Sequence, residues 1–113
     1  MINKYEKVKI SHQDSRRSLK SIFNGDFTAK QVKILDIKRG SILGNHYHEF
    51  KELFYIFKGL AKYTLEDIYT GRKIIMVLKE GERLIINKKV KHTAEFLQDT
   101  ITIEATEEEY RNI

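Results

Sequence analysis

Apolar and polar residues alternate with a period of two along much of this 113-residue chain, which argues for β-strands. "SLKSIF" at 18–23 and "AKQVKILDIK" at 29–38 are two candidate strands, separated by "NGD", whose Asn24-Gly25 is a favourable turn dipeptide. "LFYIFK" at 53–58 is apolar throughout and reads as a strand buried on both faces, broken by Gly59. "LAKYTLEDI" then places Ala61, Tyr63 and Leu65 on one face and Lys62, Thr64 and Glu66 on the other. Thr70-Gly71 turns the chain into "KIIMVL", and Lys79-Glu80-Gly81 leads into "ERLII". The polar turn "NKK" opens "VKHTAEFL", where Val90, His92, Ala94 and Phe96 share a face. In "TITIEA", Ile101, Ile103 and Ala105 alternate against Thr102 and Glu104. Only the ends, near residues 1–7 and 106–113, are open to a helix. Eight to ten short strands joined by tight turns predict an all-β sandwich or barrel. Its interior is either filled or open at one end, and inward-facing polar residues decide which. His92 is such a residue: it shares the apolar face with Val90 and Phe96, and buried alone it would need hydrogen bonds to offset desolvation.

Composition narrows the class without naming a function. An apolar fraction of 41% and a charged fraction of 33% describe a globular protein, here expected as one domain over residues 1–113. The longest apolar runs, "LFYIF" and "IIMVL", are about a quarter of a membrane span, and "MINKYEKVKI" has no apolar stretch of signal length. A cytoplasmic protein that binds no membrane is the expectation. The absence of cysteine excludes disulfides and thiolate ligands. The net charge of +5 comes from lysines and arginines scattered among acids; the densest basic stretch is "NKKVKH", and "EEE" at 107–109 is locally acidic. This reads as a mixed-charge surface with, at most, weak steering of an anionic ligand, and not as a nucleic-acid interface.

The chemistry concentrates in "GSILGNHYHEFKELFYIFKG", residues 40–59. His46 and His48 are two apart and project from one face of a strand. Glu49-Phe50-Lys51 can form a turn, so that Glu52 begins the next strand beside them. His92, from a strand more than forty residues downstream, can supply a fourth ligand through sheet packing. Three neutral nitrogens and one anionic oxygen suit one borderline divalent metal, manganese, iron, cobalt, nickel or zinc, with positions left for water or substrate. The plainer alternative is a pair of hydrogen-bonded turn histidines beside a surface acid. Tyr63 faces inward by alternation, as a proton donor in a cavity or as a core tyrosine whose hydroxyl reaches a partner.

The stretch resembles the first motif of the cupin superfamily: glycine, five residues, His-any-His, three or four residues, glutamate, six residues, glycine. Gly40, His46, His48, Glu52 and Gly59 occupy every fixed position. In the second motif Gly81 and His92 match, while Asn87, Lys89 and Phe96 replace a proline, a glycine and an asparagine. The resemblance implies a double-stranded β-helix, or jelly-roll barrel, and a metal on His46, His48, Glu52 and His92. "DSRRSLKSIF" at 14–23 is also similar to the Asp-any-Arg-Gly opening of cupins that epimerise or isomerise nucleotide-linked keto-sugars, with Arg17 in place of the glycine. "GNHYH" is similar to the metal-binding cupin domain of capsule-sugar enzymes. Lys88, Lys89 and Arg39 are basic residues that could meet a diphosphate.

These resemblances imply a metal-dependent isomerase or epimerase on a small oxygenated substrate such as a sugar or nucleotide-sugar, with Glu52 and Tyr63 as catalytic candidates. A metal-dependent dioxygenase, a non-catalytic ligand-binding module and a purely structural metal remain as alternatives. Small cupins also imply a homodimer, in keeping with apolar side chains on both faces of "LFYIF" and "IIMVL".

Overall fold

The structure, a computed structural model, describes residues 1–109. Eleven strands follow one another: β1 (Ile2–Lys7), β2 (Ile10–Gln13), β3 (Ser18–Lys20), β4 (Gln31–Ile37), β5 (Ile42–His46), β6 (Glu52–Lys58), β7 (Leu60–Asp67), β8 (Lys73–Lys79), β9 (Glu82–Ile86), β10 (Val90–Phe96) and β11 (Thr100–Thr106). A five-stranded sheet in the order β1-β9-β6-β11-β4 packs on a four-stranded sheet in the order β5-β10-β7-β8, and β2 and β3 form a separate hairpin. Every strand pair is antiparallel. This is an all-β jelly roll. No helix of the structure is long and apolar enough to cross a membrane.

Two apolar clusters hold the layers together. Between the sheets, Phe54, Ile56, Leu84 and Ile86 from one side meet Ala61, Leu65, Leu78 and Phe96 from the other. On the outer face of the five-stranded sheet, Leu53, Tyr55, Ile85 and Ala105 are covered by Val8 and Phe27, with Phe23 and Ile103 packed against them. The expectation that "LFYIF" is buried on both faces holds for Leu53 to Ile56, whereas Phe57 is exposed.

Three expectations are corrected. The segment near residues 1–7 is not helical: it is β1, laid along β9, where it supplies partners for what would otherwise be an open sheet edge. The strand expected over 18–23 stops at Lys20, because Ile22 and Phe23 leave the hairpin to cover the outer cluster. At the other end, also left open to a helix, β11 runs to Thr106 and residues 107–109 are not helical; residues 110–113 lie outside the described residues.

The alternation in β11 resolves in an informative way. Thr102 and Glu104 point into the barrel, while Ile103 and Ala105 face outward beneath the N-terminal segment. β4 beside it behaves likewise, with Lys33 and Leu35 inward and Val32 and Ile34 exposed outward. One end of the barrel thus has a polar inner wall.

Candidate metal centre and active site

His46 closes β5 and is paired Cα to Cα with His92 on β10. The register shifts beside this pair, between His92 and Thr93, and Gly44 lies at the shift. Gly44 has φ +100, and a Cβ there would stand 2.6 Å from the His92 carbonyl oxygen, so only glycine allows the two backbones to approach this closely. His48 follows just past the strand. Its carbonyl accepts a hydrogen bond from the Lys89 backbone N–H at 2.7 Å, and its ring stacks on Phe50 with centroids 4.6 Å apart. Lys89, where the second cupin motif has glycine, adopts φ +61, so the turn keeps its left-handed geometry with the wrong residue for it.

Glu52 begins β6, as the spacing predicts, and is buried. Its Oε1 lies 3.6 Å from Nε2 of both His48 and His92. One ring nitrogen from each of His46, His48 and His92 falls within 4.8 Å of the others. Nδ1 of His92 lies 3.3 Å from the Val90 carbonyl; a proton on Nδ1 donates there and leaves Nε2 as the lone-pair donor facing the site. Of the four expected ligands, His46, His48 and His92 are brought together, and Glu52 stands against His48 and His92.

Electrostatics favour neutral imidazoles at His48 and His92. Burial, reinforced by the neighbouring histidines, pushes His92 down to about 4, and burial together with His46 lowers His48. Burial, with Glu104 nearby, pushes Glu52 up to about 8. Neutral imidazoles with a carboxyl among them are the donor set that a divalent cation takes up, releasing a proton from the acid. Two ligand atoms each about 2.1 Å from a shared cation stand no more than about 4.2 Å apart, so the 3.6 Å separations suit one, and the histidine nitrogens, spread over up to 4.8 Å, have to draw in slightly to meet it. The residues present fit a metal.

Two adjoining cavities share Lys33, His46, His48 and Glu52 as walls. The inner one, about 290 Å³, reaches Phe54, Tyr63, His92 and Glu104; the outer one, about 570 Å³, is bounded by Gln31, Phe50 and Thr106 and by the carboxylates of Glu49, Glu108 and Glu109. Tyr63 is fully buried on the inner wall, and its hydroxyl has no hydrogen-bond partner among the described residues. Sequence reasoning missed Lys33 and Glu104. Their signal was present as the polar phase of β4 and β11, but nothing local says which phase faces inward. His12 is exposed and pairs with Asp14 on the β2–β3 hairpin, at 3.2 Å, and Arg39 is also exposed.

This arrangement of strands recurs in solved structures. The chain has a cupin fold. A TDP-fucose 3,4-ketoisomerase from Campylobacter jejuni superimposes with a TM-score of 0.79 and 22% identity, covering 96% of this chain and 83% of that one. A TDP-quinovose 3,4-ketoisomerase from the same organism gives 0.82 and 19%, covering 96% and 86%. A 3'-monoepimerase from Streptomyces bikiniensis, in complex with dTDP-quinovose, gives 0.81 and 19%; the match covers 95% of this chain and 64% of that one. At these identities the likeness establishes the fold alone. No protein-family model matches the chain, and no curated protein does.

Proposed function

We propose that this cupin is an isomerase or epimerase of a nucleotide-linked keto-sugar, with one divalent cation held by His46, His48, His92 and Glu52. The observation that carries the reading is the grouping of three imidazoles, with a buried carboxyl against two of them, at the open end of the barrel. The outer cavity falls in the range of small-molecule sites, and the solved structures with this fold include ketoisomerases and an epimerase of TDP-sugars. A bound cation would polarise a carbonyl oxygen and so acidify the neighbouring C–H. His92 is oriented by the Val90 carbonyl and His48 by Phe50, so both present fixed nitrogen donors. Apolar Leu35, Phe54 and Phe96 line the rest of the inner cavity and restrict water around the reacting carbons.

The test is metal analysis of protein purified without added nickel, followed by an assay on TDP-4-keto-6-deoxyglucose and related keto-sugars. One equivalent of cation and turnover that chelation abolishes are expected. A second reading rests on Glu52, which at about 8 holds its proton near neutrality beside two neutral imidazoles. Such a set can exchange protons with a substrate without a cation. Full turnover in chelated protein would select it, and inertness with and without metal would point to a ligand-binding module.

A further inference from the structure

Strand β11 turns Thr100, Thr102, Glu104 and Thr106 toward the barrel interior and gives its isoleucines to the outside. A strand serving only to pack a core would do the reverse, since polar groups lose hydration on burial. Glu104 stands directly opposite Lys33 in the β4–β11 ladder, with Oε1 3.9 Å from Nζ, and its Oε2 accepts a hydrogen bond from Thr102 Oγ1 at 3.3 Å. From the opposite sheet Tyr63 enters the same chamber, fully buried and with no hydrogen-bond partner for its hydroxyl among the described residues. Donors and acceptors are therefore arranged around the inner 290 Å³ chamber, alongside the histidines. The outer cleft, with Glu49, Glu108 and Glu109 beside Lys33, is a poor setting for a diphosphate, so recognition falls to the sugar.

We infer that Lys33, Tyr63 and Glu104 form a hydroxyl-binding wall for the sugar ring, and that Glu104 is the proton-transfer residue of the isomerisation. The catalytic part rests on the function proposed above; the recognition part needs only that a neutral polyhydroxy ring enters the chamber. In the step itself, the Glu104 carboxylate takes the proton from the carbon next to the ketone. The C–H electron pair becomes the C=C bond of an enediol as the carbonyl oxygen gains a proton from water. The carboxyl returns its proton to a carbon of the enediol, while an enediol hydroxyl gives its proton back to water and re-forms the ketone. No oxidant or reductant is consumed. Tyr63 donates its hydroxyl proton in a hydrogen bond to a ring oxygen, and burial, which holds that hydroxyl protonated, suits a donor.

The experiment compares wild type with Glu104→Gln, Glu104→Asp and Tyr63→Phe. It reads metal content, calorimetric affinity for dTDP and for dTDP-quinovose, and deuterium uptake from D2O into TDP-4-keto-6-deoxyglucose. In E104Q, metal content and dTDP affinity should match wild type. Affinity for dTDP-quinovose should fall at least about tenfold, as for a lost hydrogen bond to a charged group. Deuterium uptake should fall about a hundredfold or more, with E104D restoring part of it. Y63F should weaken dTDP-quinovose and leave dTDP unchanged. Unaltered sugar affinity and uptake in E104Q would overturn the proposal. So would a wild type that binds dTDP and dTDP-quinovose equally, or binds neither. Wild type that takes up no deuterium, while E104Q and Y63F still weaken dTDP-quinovose, would sink the isomerase reading and uphold the wall. Should E104Q fail to fold, Lys33→Met and Y63F carry the same comparison.

Discussion

His46 and His92 face each other across the β5–β10 ladder with their rings edge to face, centroids 4.9 Å apart. The pairing joins a local motif to a strand more than forty residues away, and the tight approach at Gly44 makes it possible.

Loss of both members of that pair should abolish the cation site. His46→Ala/His92→Ala is expected to retain less than stoichiometric metal, measured on protein purified without added nickel. Stripping the wild type should lower its melting temperature, since a ligand at about 100 times its dissociation constant adds roughly 2.7 kcal/mol. Gly44→Ala should weaken the site without touching a ligand, because its Cβ meets the His92 carbonyl at 2.6 Å. A metal titration of G44A indistinguishable from wild type would refute the role given to this close approach.

The pH dependence should follow Glu52 more than His48 or His92. With His92 at about 4 and His48 lowered, protons on these two histidines compete less than on free imidazoles, whereas a cation must displace the proton that Glu52 holds up to about 8. Metal affinity should therefore rise between pH 6 and 8. Metal-free stability should move the other way. The folded state binds the extra Glu52 proton between about 4.5 and 8, so this group's contribution declines as pH rises through that window. His92, lowered from 6.5, opposes it only below about 6.5. The net decline from this pair should thus appear between about pH 6.5 and 8 and vanish in Glu52→Gln, followed by thermal melts of chelated protein.

Arg83, almost fully buried on β9, should act as the clasp for the segment over the outer cluster. It donates to the Ile22 carbonyl at 2.7 Å and pairs with Glu6 at 2.8 Å and with Asp26. Breaking a buried pair costs about 3–5 kcal/mol; Asp26 is partly open, so Asp26→Asn should cost about 2 kcal/mol, read from urea unfolding. Arg83 holds the Asp26 carboxyl well below the usual carboxylate range. Its contribution is complete above about pH 4 and is lost as pH falls toward the folded-state value. Asp26→Asn should remove that acid-sensitive component, and an unchanged acid transition would refute the clasp.

A homodimer is expected in solution. Edge strands β4 and β8 carry Val32, Ile34, Ile75 and Val77 exposed, with Ile34 70% and Ile75 63% accessible. Light scattering should give twice the chain mass at micromolar concentration, and Ile34→Glu or Ile75→Glu should yield monomer, identifying the edge used. A monomeric wild type would overturn this.

What the sequence determined by itself is what depends on short-range geometry. A continuous apolar run marks the strand at 53–58 and alternation marks those at 60–67, 90–96 and 100–105, and the offsets among His46, His48 and Glu52 are short enough that one turn delivers all three. His92 was legible because its neighbours Val90, Ala94 and Phe96 mark its face as inward. The N-terminal strands were not legible: β1 and β2 have mostly exposed side chains, and β1 is set by its ladder to β9, some eighty residues away. Nor was the orientation of β11. A period of two divides a strand into two faces and leaves open which one is inside. Ile103 and Ala105 would fit a barrel core as well as they fit the outer cluster. Only the N-terminal segment, drawn over that outer face with Phe23 and Phe27 and clasped by Arg83, lets the apolar phase point outward. That frees Glu104, hydrogen-bonded by Thr102, to line the chamber beside Lys33 and Tyr63, and this placement was a decision of the tertiary structure.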